Sequence, residues 1–225
     1  MTGRVTNPGL FFIINRNTRV RHMFKRSMSG LKIFIASFAL VLFGQLEAAL
    51  FFSSSLTEIY SVAAENRARN THPVHGVDQL SLAKLFASIQ INSETENATI
   101  YLMSELNAER LAKEVLLSLK RLRPDQDMHL VIYRTVGGSI SSKRYSTGIR
   151  VFVDASGLNL IFGQLDTFQD DFRGPDRKIA PAGSRNTVRL KGGSIVAADW
   201  FKFREDRTDW MIYPLPKQPN LRLRM

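Results

Sequence analysis

Hydrophobic positions along this chain obey three different rules in turn. From Asp78 onward the first rule is helical: Leu82, Leu85, Phe86 and Ile89 recur at helical spacing behind an aspartate. That order, a short acidic cap and then an apolar stripe, predicts a short amphipathic helix. Asn92 to Asn97 is polar and turn-like, and Thr99 to Met103 is β-branched and aromatic, which predicts a short strand. A longer helix is expected from Asn107. Ala108, Ala112, Val115, Leu116, Leu119 and Leu122 share one face, and Arg110, Lys113, Glu114, Lys120 and Arg121 share the other, until Pro124 stops it.

Beyond Pro124 the period becomes two. Met128 to Arg134 is apolar on both sides of the pleat, as in a central strand. Strands are expected again over Arg144 to Val153 and Leu158 to Phe162, joined by the turn Asp154-Ala-Ser-Gly157. Gln169 to Asn186 reads as a long loop. Thr187 to Leu190 and Ile195 to Arg204 read as strands, the latter pairing with Asp209 to Tyr213 across Glu205 to Thr208. Strands joined by short turns are antiparallel neighbours. The expected fold is therefore α+β: a single antiparallel sheet of about five to six strands, with one or two amphipathic helices on one face.

The third rule is an unbroken apolar run, Ile33 to Leu46, preceded by Arg4, Arg16, Arg19, Arg21, Lys25, Arg26 and Lys32 without one acidic residue among them. A basic flank of this kind stays in the cytoplasm and directs the downstream chain across the membrane. The run alone fits the hydrophobic region of a signal peptide, with Gln45-Leu-Glu-Ala48 as a cleavage region. Extended through Ala48 to Phe52 it reaches 20 residues, enough at about 1.5 Å per residue to span a hydrocarbon core of roughly 30 Å. Both readings predict export. Between this segment and Asp78, residues 53–77 read as a linker with one weak helical patch (Leu56, Ile59, Tyr60, Ala63).

Charge agrees with that reading. Of the formal net charge of +11, seven positive charges lie in residues 1–32, and the remainder holds 24 basic and 20 acidic residues. The basic excess is an orientation signal and argues against a nucleic-acid partner. The chain has no cysteine, which excludes thiol nucleophiles, thiolate metal sites, disulfides and a lipid-anchored amino-terminal cysteine.

Catalytic motifs are incomplete. Ser81-Leu-Ala-Lys84, Ser184-Arg-Asn186 and Lys191-Gly-Gly193 resemble the three motifs of the penicillin-interacting serine enzymes, yet the second and third lie five residues apart where that family inserts a large domain. Asn107 to Ser142, a helix, a buried strand and Gly137-Gly-Ser-Ile, is similar to part of Clp-type proteases and their crotonase relatives. The resemblance covers about 35 residues and implies an oxyanion-hole amide at the Gly-Gly turn. No histidine lies beyond His129 to act as base. A serine at Ser139, Ser141 or Ser156 with an unassigned base defines the alternative reading, an envelope serine hydrolase. His72-Pro-Val-His75 lacks an acidic partner for a metal, and the acidic loops (Asp170, Asp171, Asp176; Glu205, Asp206, Asp209) are interleaved with arginine. No catalytic, cofactor or metal residue is assigned.

One surface remains. Trp200, Lys202 and Arg204 would share one face of a terminal hairpin, with Phe201 and Phe203 turned to the core. An aromatic and basic face of this kind suits a partner protein, a glycan or an anionic lipid. The expected layout is a basic leader over 1–32, a hydrophobic signal or transmembrane segment over 33–52, a linker over 53–77, an exported α+β domain over 78–214 and a basic tail over 215–225. The expected function is that of a non-enzymatic exported or membrane-anchored envelope protein, acting by binding as a component of a larger assembly. Its partners would be the membrane, through 33–52, and an envelope protein.

Overall fold

The computed structural model describes residues 48–71, 77–138, 142–169 and 178–215. The basic leader, the apolar run to Glu47, His72 and His75, Ser139 and Ser141, the acidic cluster Asp170, Asp171 and Asp176, and the tail from Pro216 lie outside them. Most of the described chain is a seven-stranded antiparallel sheet, accompanied by a three-stranded sheet and two helices.

Strand formation begins well before Asp78. Strands β1 (Ala49–Ser53) and β2 (Thr57–Ala63) form a hairpin, and β2 pairs along its whole length with β5 (Gln126–Gly137). The strands β6 (Ser142–Asp154) and β7 (Gly157–Phe168) continue the sheet as a meander. Then β10 (Arg207–Tyr213) pairs with β7, and β9 (Lys202–Arg204) closes the row, giving the order β1-β2-β5-β6-β7-β10-β9. Between β2 and β5 the chain builds α1 (Gln79–Ser88), β3 (Gln90–Ser93), β4 (Ala98–Tyr101) and α2 (Glu105–Leu119). β8 (Gly193–Ile195) joins β3 and β4 in the small sheet, ordered β4-β3-β8.

The inner face of the large sheet carries the main core. Ile59, Met128, Leu130, Ile149, Val151, Leu160, Phe162 and Met211 are buried there against Leu82, Leu85 and Phe86 of α1 and Leu111, Val115 and Leu119 of α2. Each such side chain contributes roughly 1.5–3 kcal/mol on transfer from water. Asp78 caps α1 as expected. Its carboxylate accepts from the Ser81 hydroxyl at 2.7 Å and the Ser81 amide at 2.8 Å, and these bonds hold its pKa below the ordinary range. The small sheet is tied to the large one by Asp166, which accepts from Ser93 Oγ at 2.7 Å and from Arg134 Nε and Nη2 at 2.8 and 2.6 Å.

Several expectations need correction. Seven strands stand where five to six were expected, and a second sheet was not foreseen. The stretch read as a linker contains β2, buried along most of its length. Its polar character has a structural cause: Glu58, 2% exposed, accepts from Tyr60 Oη at 2.7 Å and Tyr133 Oη at 2.9 Å, so a carboxyl group sits inside the sheet with partners from two strands. Residues Ala49 to Phe52, counted towards a 20-residue apolar helix, form β1 instead. Thr187 to Leu190 is not a strand. Gly192 and Gly193, at φ of 87° and 143°, turn the chain away from the large sheet and into β8 beside β3. The longer helix starts at Glu105 behind Ser104, one half-turn before Asn107.

Candidate binding surfaces

The outer face of the large sheet is crossed by the segment from Lys178 to Lys191, and two glycines let it approach. A Cβ at Gly148 would strike the Pro181 and Ala180 carbonyl oxygens, and one at Gly163 would strike the backbone of Ala182. In the floor so formed, Ala180 packs with Tyr60, Val131 and Tyr133. His129 donates from Nε2 to the Ala180 carbonyl at 2.8 Å, Arg150 donates from Nε to the Gly183 carbonyl at 2.8 Å, and Arg207 donates to the Ser184 carbonyl at 2.8 Å. Burial pushes the His129 pKa down to about 4, the Arg150 charge pushes the same way, and the Ala180 carbonyl and Glu58 oppose. The imidazole is a neutral strut between strand and crossing segment, not a base facing solvent.

Beside it lies a network of arginines held from below by carboxylates. Asp127, wholly buried, accepts from Arg150 Nη1 at 2.9 Å, Arg185 Nη2 at 2.6 Å and Asn70 Nδ2 at 2.8 Å. Arg185 also lies 3.4 Å over the Phe152 ring. Glu65 accepts from Arg150 Nη2 at 3.1 Å and Ser184 Oγ at 3.0 Å. Asp209, also wholly buried, accepts from Arg207 at 2.6 and 2.9 Å.

Arg204 completes the group, and it differs from the others. Its guanidinium lies 4.3 Å above the Trp210 ring, with Arg207 at 4.9 Å from the same ring. Trp210 is itself fixed by Nε1 donating to Asn159 Oδ1 at 2.8 Å and by edge-on packing against Phe152. Among the described residues Arg204 has no carboxylate partner. Asn66, Ala68, Arg185, Arg204, Glu205, Arg207 and Trp210 enclose a pocket of about 370 Å³.

The three residues singled out by alternation are thus split. Lys202 pairs across from Ile212, which packs on the Phe152–Ile161–Trp210 cluster, so Lys202 and Arg204 share the outer face. Trp200 precedes β9 in a turn, where alternation does not apply. It packs edge-on against Phe201 at 4.8 Å and Tyr213 at 6.5 Å on the inner side. Phe201 is buried and Phe203 partly buried, as expected of core residues. Trp200 lines a second, larger groove of about 1440 Å³ that runs past both helices and the ends of β2 and β5. Tyr101 and Leu80 are exposed beside it. Sequence reasoning missed Arg185 and Arg207. They lie 58 residues from Asp127 and two from Asp209, and only the crossing segment brings Arg185 to the same ring system as Arg204.

Of the serines considered as nucleophiles, Ser156 is the one within the described residues. Its hydroxyl donates to Asp154 Oδ1 at 2.5 Å in the β6–β7 turn, while the His129 Nε2 is engaged by Ala180. No group of three or more His, Asp or Glu side chains able to hold a metal ion occurs among the described residues. No helix among them is long and apolar enough to cross a membrane. No protein-family model, no curated protein and no solved structure matches this chain.

Proposed function

We propose that this is a non-enzymatic envelope protein, exported or membrane-anchored through its apolar segment, that acts by binding an acidic segment of a partner protein. The observation that carries the reading is Arg204: a guanidinium set on the Trp210 ring with no carboxylate partner among the described residues, beside two arginines already neutralised from beneath. A guanidinium stacked on an aromatic ring keeps its in-plane N–H donors free for a carboxylate. Its position is fixed before binding, so little side-chain entropy remains to be lost. β9 is the last strand of the sheet among the described residues, and Lys202 and Arg204 lie on one face of it, where an extended acidic chain could be added. Export is supported by the one-sided basic flank of Ile33 to Leu46.

The test uses hexaglutamate and hexalysine peptides as probes, with binding read from indole fluorescence of the full chain. Hexaglutamate should bind saturably and weaken with salt, and hexalysine should not. Arg204→Glu should weaken hexaglutamate binding at least about tenfold, the effect expected for reversing one contacting charge. Lys84→Glu, on the lining of the other groove, should leave it unchanged. Equal binding by the Arg204→Glu variant and the parent would overturn the reading.

A further inference from the structure

The pocket beside Trp210 is lined by an uncompensated charge of each sign, and only the positive one enters the reading above. Its charged lining residues are Arg185, Arg204, Glu205 and Arg207. Arg185 and Arg207 are engaged by the buried carboxylates of Asp127 and Asp209, at 2.6 Å in each case. Arg204 and Glu205 have no ion-pair partner among the described residues. Glu205 is exposed at the first position of the two-residue turn between β9 and β10, across which Arg204 pairs with Arg207. Its φ of 50° lies in the left-handed region, a conformation that tight turns between strands ordinarily give to glycine or asparagine. A long charged side chain kept at such a φ points to a role for that side chain. Asn66 lines the pocket too, and with its Nδ2 donating to Asn186 Oδ1 its own Oδ1 serves as a second acceptor.

We infer that this pocket selects a segment of mixed charge, with an acidic side chain on Arg204 and a basic side chain two residues along an extended chain on Glu205. Glu205 is then the residue that sets specificity within the acidic segment proposed above. Residues two apart in an extended chain share one face at roughly 6.6–6.8 Å, so a pair at that spacing reaches a single pocket together. The pocket, at about 370 Å³, is at the low end of the roughly 300–1,000 Å³ of small-ligand sites, so it takes a short piece of chain. A wholly acidic run places its second carboxylate against Glu205, and like charges so juxtaposed oppose binding. No net positive field offsets that repulsion from below, because Asp127 and Asp209 already neutralise Arg185 and Arg207. A lysine or arginine at the second position replaces the repulsion with an ion pair.

This inference rests on the acidic-segment reading above, and one experiment separates the two. Two capped hexapeptides are titrated against the full chain and followed by indole fluorescence. One alternates glutamate with serine; the other is the same peptide with its middle glutamate replaced by lysine. The mixed peptide should bind about threefold more tightly, the effect of one exposed ion pair, although it carries less negative charge. Attraction to basic charge alone predicts the opposite order. In Glu205→Gln, which keeps the side-chain length, the order should reverse. In Asp206→Asn, the neighbouring turn residue that does not line the pocket, it should stand as in the parent. An all-acidic peptide that binds the parent as tightly as the mixed one, or more tightly, overturns the mixed-charge inference and leaves the acidic-segment reading standing. Binding of neither peptide overturns both. A preference for the mixed peptide that survives in Glu205→Gln, or is lost in Asp206→Asn, overturns the assignment to Glu205.

Discussion

Arg185 donates to Asp127 at 2.6 Å across 58 residues of chain, and the carboxylate it meets is wholly buried under the outer face of the sheet. The pair clamps the crossing segment to β5, and Arg150 closes the clamp from β6. Removing the carboxylate leaves two guanidinium groups without their main counter-charge in a partly dry site. Asp127→Ala should lower unfolding free energy by about 3–5 kcal/mol, read from urea denaturation. It should also make the segment around Ser184 more sensitive to protease. A loss under about 1 kcal/mol would show that solvent already screens the network.

Gly148 and Gly163 tolerate no side chain, because a Cβ at either would meet backbone, which cannot rotate away. Gly148→Ala and Gly163→Ala should each destabilise by about 1–3 kcal/mol, the range for overpacking a filled interior. Because the Arg185 clamp rides on the same segment, Gly148→Ala combined with Asp127→Ala should cost less than the sum of the two alone. Full additivity, measured by a double-mutant cycle, would mean that segment and clamp act independently.

His129 makes stability depend on pH. Its folded pKa of about 4 lies below the ordinary 6.5, so between these values the unfolded chain holds a proton that the folded chain refuses. The contribution is full above about pH 6.5 and is lost as pH falls towards 4, by an amount on the order of 2–3 kcal/mol. His129→Gln keeps a donor for the Ala180 carbonyl without titrating. Chemical denaturation at pH 7 and pH 4.5 should show a smaller difference for that variant than for the parent. An unchanged difference would place the acid sensitivity elsewhere.

Trp200 and Arg204 should answer differently to truncation. Trp200 packs edge-on against Phe201 and Tyr213 at the margin of the core, so Trp200→Ala should cost about 1–3 kcal/mol of stability. Arg204→Ala loses one stacking contact at a partly exposed site and should cost under about 1 kcal/mol. Thermal unfolding of both variants tests this. A Trp200→Ala protein as stable as the parent would mean that the indole is not part of the core margin.

The legible part of the fold was the part governed by local period. The helix behind Asp78, the amphipathic helix ending before Pro124 and the two-sided strand Met128 to Arg134 each repeat apolar residues at a spacing that one element alone explains. β2 escaped because its outer face carries Glu58 and Tyr60, and Glu58 accepts from Tyr60 and from Tyr133 of β5. Such a strand looks like a polar spacer until its partner is adjacent. The aromatic and basic face was half legible. Lys202 and Arg204 obey strand alternation, whereas Trp200 lies in a turn and goes to the other side.

The sequence by itself determined the basic flank ahead of the apolar run, the absence of thiol chemistry, the helices and the antiparallel character of the sheet. These arise from charge order, composition and short-range periodicity, which operate over one turn of helix or one hairpin. Tertiary structure alone decided that β1 takes the residues after Ala48, that β8 leaves for a second sheet, and that Arg185, Arg204 and Arg207 gather around Trp210. Those outcomes depend on contacts between residues tens of positions apart. A buried carboxylate or a missing side chain at Gly148 selects them, and neither leaves a periodic trace in the chain.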